Sequence, residues 1–235
     1  MSTIDITIDR AAQAAEVVYP DSDGRPMADN TLQYKWIVII KENLEVIFQG
    51  RDDVFIAGDL LWYPEEGKKT VCMAPDVLVA VGRPKGYRGS YKQWEEEGIA
   101  PQVVFEVHSP NSQPDEVMRK LVFYDRHGVE EYYYYDPETG TLTGFVRDDR
   151  GLADGIDMRG FRSPRLGIRF EPGEGEDSLR IFGPDGEPFQ TTLQFVAERD
   201  EARREARAER NRADEERARA DRLAARLREL GVEPE

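Results

Sequence analysis

Two acidic residues lie within sequence segments that are otherwise apolar. Asp76 follows Pro75 and begins the run DVLVAVG (76–82), and Glu106 lies inside the run QVVFEVH (102–108). Short, β-branched apolar runs are typical of buried strands, where a carboxylate is costly unless it is paired or binds a metal ion. Because side chains on paired strands lie about 5 Å apart, the two carboxylates could share one cation. Two carboxylates without a histidine cluster favour Mg²⁺ or Mn²⁺.

Each acidic residue also has a purely structural interpretation. Asp76 could be a turn residue at the start of its strand, and Glu106 could belong to a structural ion pair. Because Asp76 and Glu106 are both predicted to lie on neighbouring central strands, a shared functional site is favoured over two separate structural roles.

Lys120 is predicted to lie in the helix that follows the Glu106 strand. Val117, Lys120, Leu121 and Tyr124 share one helical face, so Lys120 lies at least on the edge of the face directed at the core. Its side chain could extend outward to solvent, or its ammonium could point at the two carboxylates. In the second arrangement it would orient an attacking water and stabilise negative charge on a phosphate.

The hydrophobic periodicity predicts an α/β protein with a central mixed sheet flanked by two helices. Apolar residues recur at spacings of three and four over 31–49, which predicts the first helix. The second helix is predicted to have Ser112 as its N-cap and to run to about Arg126, before Gly128. The predicted strands cover residues 54–64, 69–73, 76–82, 102–108, 130–137 and 141–149, with short strands near 166–182.

Composition limits the classes to which this chain can belong. Its 235 residues suit one folded domain (31–190) with an N-terminal arm (1–30) and a C-terminal tail (191–235). The sequence has no run of 18 apolar residues and no recognisable signal peptide, so we expect a cytoplasmic protein that does not span a membrane. A single cysteine excludes a disulfide framework, and two histidines exclude most multi-histidine metal sites.

The tail is predicted to be one long helix from about Thr192 to Leu230, because Ala, Arg and Glu dominate it and Gly and Pro are absent there. Heptad spacing places Ala206 and Leu227 in one seam, although other seam positions are glutamates. The tail is therefore either a dimeric coiled coil, which predicts a homodimer, or a single helix held by Glu–Arg pairs four residues apart.

The net charge of −15 bears on any nucleic-acid partner. An acidic body repels phosphate backbones, so DNA binding would require a local basic patch or bound cations. The segment 83–92 offers such a patch, in which basic residues alternate with Tyr87 and Tyr91. The alternative is a solvated loop. The candidate DNA contacts are Arg83, Lys85, Arg88 and Lys92.

The order of the motifs resembles a known family. Pro75-Asp76 is followed by Glu106-Val107-His108-Ser109-Pro110, then by Lys120 with Tyr124, and then by the segments GVEEY (128–132) and DP (136–137). This order, over roughly residues 30–185, resembles the Uma-type family of restriction-endonuclease-like proteins in the PD-(D/E)XK nuclease superfamily. The tail is similar to tails on many members. The resemblance implies a restriction-endonuclease-like core.

The same resemblance implies roles for individual residues. Asp76, Glu106 and the backbone carbonyl of Val107 would bind the metal ion. Lys120 would replace the lysine of the superfamily motif, because His108 occupies the motif position in this chain. The accessory candidates are Glu42 or Glu45 from the first helix, together with Asp59, His108 and Tyr124.

Two functions are compatible with these observations. The first is a Mg²⁺- or Mn²⁺-dependent endonuclease that hydrolyses DNA, with Asp76, Glu106 and Lys120 as catalytic residues. The second is a catalytically inactive protein with the same fold, which binds or assembles through its C-terminal helix. A carboxylate enzyme acting on another phosphoester or on a sugar is a third class.

Overall fold

The computed structural model describes residues 17–24 and 26–229. Contacts divide the chain into two compact units, one ending at Phe189 and the other beginning at Gln190. The first unit contains two helices and all of the described strands, and the second contains one long helix.

Helix α1 spans Thr31–Ile47 because its sequence supplies both a cap and an apolar stripe. The side chain of Asn30 accepts a hydrogen bond from the Gln33 amide at 2.8 Å, which satisfies one backbone donor at the helix start. Trp36, Ile40 and Leu44 are buried along one face, at the spacing that the sequence predicts.

A six-stranded sheet forms the centre of the first unit. Its order is β1-β3-β5-β6-β7-β8, and only β5 and β6 pair in parallel, so the sheet is mixed. This confirms the predicted fold class. The strands of the chain are β1 (Val54–Gly58), β2 (Trp62–Tyr63), β3 (Val77–Val81), β4 (Tyr91–Lys92), β5 (Val103–Val107), β6 (Glu131–Asp136), β7 (Thr141–Asp148), β8 (Gly151–Ala153), β9 (Arg169–Glu171) and β10 (Arg180–Phe182).

The sheet buries both of its faces. Val77 and Val79 of β3 pack into the cluster that contains the apolar stripe of α1. Leu78 and Ala80, which point to the opposite face, pack with Tyr124 in a second cluster. The central strands are therefore enclosed on both sides, which explains their continuous apolar sequences.

Helix α2 spans Pro114–Arg126 and connects the parallel strands β5 and β6. The expectation that Ser112 caps this helix is wrong, because Gln113 is the N-cap and makes no capping side-chain bond. The Ser112 hydroxyl instead accepts a hydrogen bond from the Ser109 amide at 3.1 Å. The chain leaves the helix through Gly128, whose φ of +92° favours glycine.

The region after β1 departs from the predicted strands. The predicted strand 54–64 is interrupted at Asp59, which has a φ of +49° and cannot continue a ladder. The chain then forms β2, which pairs with β4 in a separate two-stranded sheet. Residues 69–73 are not a strand, and only Met73 makes an isolated bridge to Trp62.

The second unit contains helix α3, Thr192–Glu229. Thr191 and Gln194 begin it with reciprocal bonds, in which each side chain accepts from the backbone amide of the other at 2.8–3.3 Å. No residue of α3 is buried. Within residues 17–24 and 26–229, no helix combines the length and the apolar character that crossing a membrane would require.

Candidate active site

Asp76 and Glu106 lie at the same end of two paired strands. β3 and β5 are antiparallel with Val77 opposite Phe105, so the residue before Val77 and the residue after Phe105 are brought together. Both side chains are buried, Asp76 being 8% exposed and Glu106 2%. The Val107 amide donates to Asp76 Oδ2 at 2.7 Å, which links the two strands at this point.

Two residues of α2, four positions apart, reach Glu106. Lys120 Nζ lies 2.7 Å from Glu106 Oε2, and the Tyr124 hydroxyl donates to Glu106 Oε1. This spacing places both residues on one face of the helix, above the strand. Each carboxylate oxygen of Glu106 therefore accepts one hydrogen bond and keeps acceptor capacity for another partner.

The electrostatics of this cluster are dominated by burial. Burial raises the pKa of Asp76 well above its usual range, and repulsion from Glu106 acts in the same direction. Burial alone would lower the pKa of Lys120, but attraction to Glu106 and Asp76 outweighs it and raises that pKa. Lys120 is therefore an ammonium at neutral pH, which can stabilise negative charge but cannot accept a proton.

Asp59 brings a third carboxylate to this region. Its position after β1, with a backbone amide 3.2 Å from the Pro75 carbonyl, places it beside Asp76. Burial raises the pKa of Asp59, and repulsion from Asp23 and Glu106 adds to the increase. Of the accessory carboxylates predicted from the sequence, Asp59 is the one that lines the cleft described next.

A cleft of about 370 Å³ opens beside the cluster. One wall comes from the strands and α2, and the opposite wall comes from the N-terminal arm. Its lining residues are Asp23, Pro26, Met27, Ala28, Asp29, Gln33, Asp59, Met73, Ala74, Asp76, Ser109, Asn111, Ser112, Glu116 and Lys120. Five of the fifteen lining residues are acidic and one, Lys120, is basic, so the cleft suits a cation better than a bare phosphate.

Gln33 of α1 is a site residue that the sequence analysis missed. Its Nε2 atom donates to the Val107 carbonyl at 3.1 Å, and its Oε1 atom accepts from the Asp29 amide at 2.8 Å. A carbonyl oxygen has a second lone pair, so Val107 can still contact a cation. The sequence offered one signal for this role. Gln33 is a polar side chain within the apolar stripe of α1, and such side chains are buried only when they have a hydrogen-bonding partner.

Glu42 and Glu45, the predicted accessory residues of α1, do not line the cleft. Both carboxylates pair with Lys41, at 3.1 Å and 3.6 Å. The helix contributes Gln33 to the site instead, because Gln33 lies about two and a half helical turns or more nearer to the N-terminal end, beside Val107.

His108 and Tyr134 form a pair outside the cleft. His108 Nδ1 lies 2.5 Å from the Tyr134 hydroxyl, and His108 is not among the lining residues. Tyr124 is completely buried and uses its hydroxyl on Glu106. A direct contact of Tyr124 with a phosphate is therefore not supported, and its observed role is to hold the carboxylate.

The basic segment 83–92 is tied to the protein rather than free. Arg83 and Arg88 both bind the carboxylate of Glu96, at 3.0 Å and 2.5 Å, and Glu96 is 8% exposed. Lys85 donates to the Phe48 carbonyl at 2.8 Å. Arg83 also pairs with Glu97 at 3.0 Å, so the two arginines already face two carboxylates and are poor candidates for phosphate contact.

Metal binding would depend on few ligands. In the described part of the chain, no group of three or more His, Cys, Asp or Glu side chains is arranged to hold a metal ion. Asp76, Glu106 and the Val107 carbonyl supply the oxygen donors that Mg²⁺ or Mn²⁺ prefers. Mg²⁺ commonly keeps several water ligands, so two carboxylates and a carbonyl are compatible with it.

The fold and the site define an α/β protein with a carboxylate–lysine cluster at one end of its central sheet. The chain belongs to the Uma2 family, described as "Putative restriction endonuclease", whose sequence profile matches residues 16–156, more than half of the chain. This confirms the predicted family and its restriction-endonuclease-like core.

No curated protein matches the chain. A solved structure from Anabaena variabilis, described as "a putative nuclease belonging to DUF820", is similar, with a TM-score of 0.45 and 14% sequence identity. The similarity covers 61% of this chain and 77% of that one.

Proposed function

We propose that this chain is a Mg²⁺- or Mn²⁺-dependent endonuclease that hydrolyses phosphodiester bonds in DNA. The observation that carries the proposal is the convergence of Asp76, Glu106 and Lys120, which are far apart in sequence, at one end of the sheet. Membership of the Uma2 family supports the nuclease class.

The charges of the cluster support a divalent cation. Asp76 and Glu106 are buried and Lys120 supplies one positive charge, so one negative charge is left over when both acids are ionised. Buried charge without compensation is costly, and a cation held by Asp76, Glu106 and the Val107 carbonyl would remove that cost. When bound, such an ion activates water and neutralises charge on a phosphate.

The residues of the chain contribute orientation and charge. Tyr124 and Lys120 hold the Glu106 carboxylate from two sides, and the Val107 amide holds Asp76. Lys120, as an ammonium, stabilises the negative charge that develops on the phosphate oxygens. It does not act as the base, because attraction to two carboxylates raises its pKa.

Plasmid nicking in the presence of Mg²⁺ or Mn²⁺ tests the proposal. We expect wild type to convert supercoiled plasmid to nicked circles, and Asp76→Asn, Glu106→Gln and Lys120→Met each to lose at least about 100-fold of that rate. Glu42→Gln is the matched control, since Glu42 lies outside the cleft. Cleavage that survives both Asp76→Asn and Glu106→Gln would exclude the proposed site.

A second candidate is a protein of this fold that binds or assembles without cleaving. The net charge of −15 and the occupation of both Glu106 oxygens by Lys120 and Tyr124 favour it. Calorimetry separates the candidates, since no heat of binding with millimolar Mn²⁺ would favour the second. In both candidates we propose that α3 joins two copies of the chain.

A further inference from the structure

The part of the N-terminal arm formed by residues 17–24, here called the strap, packs against Tyr63 and Trp94 and lines the cleft with Asp23. We propose that the strap occupies the path of the nucleic acid and must leave before a strand can bind, an inference that rests on the proposed function. The strap would thereby set the fraction of molecules that are able to bind substrate.

The main anchor of the strap is Tyr19. Its ring packs against Tyr63 and Trp94, with centroid distances of 5.1 Å and 4.9 Å, and Lys92 Nζ lies 5.7 Å from its centroid. Its hydroxyl accepts from the Gly67 amide. Aromatic rings beside a lysine form the kind of surface on which the bases of single strands stack, so Tyr19 covers a surface suited to a base.

The strap brings one carboxylate to the segment 83–92 and another to the cleft. Asp21 lies against Gly89 so closely that a methyl group on Gly89 would collide with its carboxylate. Asp23 reaches the cleft, where its charge contributes to the raised pKa of Asp59. The strap thus connects the segment 83–92 to the cleft and presents negative charge along the way.

The strap restricts the cleft that a strand would enter. With the strap in place the cleft measures about 370 Å³, near the lower end of the range for small-molecule pockets. A nucleic-acid strand extends over several nucleotides along its binding groove, so we expect it to need the room that the strap occupies.

The strap can leave without unfolding the domain. Val17, Val18, Asp21 and Asp23 are exposed, and Tyr19 is half-buried. A segment with few buried apolar contacts opens at low cost compared with global unfolding. Its described contacts with the core include the ring and hydroxyl of Tyr19, the Asp21 approach to Gly89 and a 2.8 Å hydrogen bond from the Tyr63 hydroxyl to the Pro20 carbonyl.

Two variants of the full chain release the strap in different ways. Tyr19→Ala removes the anchor, and Gly89→Ala adds a methyl group where the Asp21 carboxylate lies. Gly50→Ala is the control, because a methyl group there meets nothing within 4 Å. The probe is a fluorescein-labelled single strand of about 12 nucleotides with phosphorothioate linkages that resist cleavage, so that Glu106 is kept.

Hydrogen exchange at the Gly67 amide reports release in Gly89→Ala, which keeps the Tyr19 acceptor, and fluorescence anisotropy in Mg²⁺ reports binding in all chains. We expect faster exchange in Gly89→Ala, affinity higher by about tenfold in both variants, and no change in Gly50→Ala. Release with unchanged but measurable affinity would refute the strap proposal and leave the proposed function intact. Unchanged exchange in Gly89→Ala together with unchanged affinity in Tyr19→Ala would also refute it. Release without binding in any chain would overturn the proposed function together with the strap.

Discussion

The ammonium of Lys120 lies 2.7 Å from the Oε2 atom of Glu106, fourteen residues away along the chain. Glu106 lies one position before the end of the buried strand β5, and Lys120 lies in the helix that carries the chain from β5 to the parallel strand β6. The helix that connects the two parallel strands therefore places a positive charge beside the end of β5, the strand that precedes it.

Removing the charge of Lys120 should destabilise the protein because Glu106 would remain buried without its partner. We expect Lys120→Gln to lower the free energy of unfolding by about 3 kcal/mol in urea titrations at pH 7. Adding Glu106→Gln should recover much of this loss. Arg119→Gln is the control, since Arg119 and Asp115 form an exposed pair at 3.7 Å, and it should change stability by less than about 0.5 kcal/mol. An equal effect of Lys120→Gln and Arg119→Gln would refute the burial argument.

The hydroxyls of two neighbouring tyrosines should differ in their contribution to stability. Tyr124 donates to Glu106, whereas the buried Tyr132 hydroxyl has no hydrogen-bond partner among the described residues. We expect Tyr124→Phe to cost about 2 kcal/mol and Tyr132→Phe to leave the free energy of unfolding unchanged or slightly raised. The rings lie 5.1 Å apart, so the two variants share an environment. The reverse order of stabilities would contradict this assignment.

The central strands were predictable because they are short apolar runs, and α1 was predictable because its apolar residues recur at helical spacing. β3 and β5 fall within the predicted ranges, and α1 ends two residues before the predicted boundary. The segment after β1 was not predictable in this way. Asp59 adopts a positive φ that a non-glycine residue rarely takes, and the strand ends there because of contacts with Pro75 and Asp76, which are distant in sequence.

Only those site residues were predictable that can be recognised from their residue type and their position in a strand. Asp76 and Glu106 stand out as acids in apolar runs, but the contact of Gln33 with Val107 spans 74 positions and depends on how α1 packs. The pairing of the arginines of segment 83–92 with Glu96 was not foreseen, and their role as DNA contacts stays a prediction. The glutamates at 95–97 were the available signal, since a buried arginine requires a partner.

Stability should respond to pH through Glu131, a buried acid outside the site. Burial raises its pKa above the usual 4.5, although Ser163 and Tyr133 donate to it. Above pH 4.5 the folded state therefore holds more protons at this position than the unfolded state, and stability is lost as pH rises through the folded pKa. Wild type should lose more stability over this range than Glu131→Gln, measured by urea titration. Glu130→Gln is the control, because it removes a half-buried acid at the neighbouring position. A stability difference between wild type and Glu131→Gln that changes with pH in the opposite direction would disprove the assignment.

Metal binding should stabilise the folded chain because the ligands converge only when it is folded. At a Mn²⁺ concentration about 100 times the dissociation constant, the free energy of unfolding should rise by about 2.7 kcal/mol. Chelation should reverse the increase. Asp76→Asn should abolish it, and Glu131→Gln, which removes a buried acid elsewhere, should retain it. Equal stabilisation of wild type and Asp76→Asn by Mn²⁺ would place the ion at another position.

Helix α3 should join two chains through the seam that contains Leu223 and Leu227. These residues are 58% and 38% exposed in the single chain, although leucines at alternating seam positions are stabilised by burial against a second helix. We expect light scattering to give twice the mass of one chain for wild type, and one chain mass for Leu223→Lys combined with Leu227→Lys. Leu193→Lys is the matched control, because Leu193 is 82% exposed and lies outside the heptad seam. A dimer that persists after removal of residues 192–235 would show that another surface joins the chains.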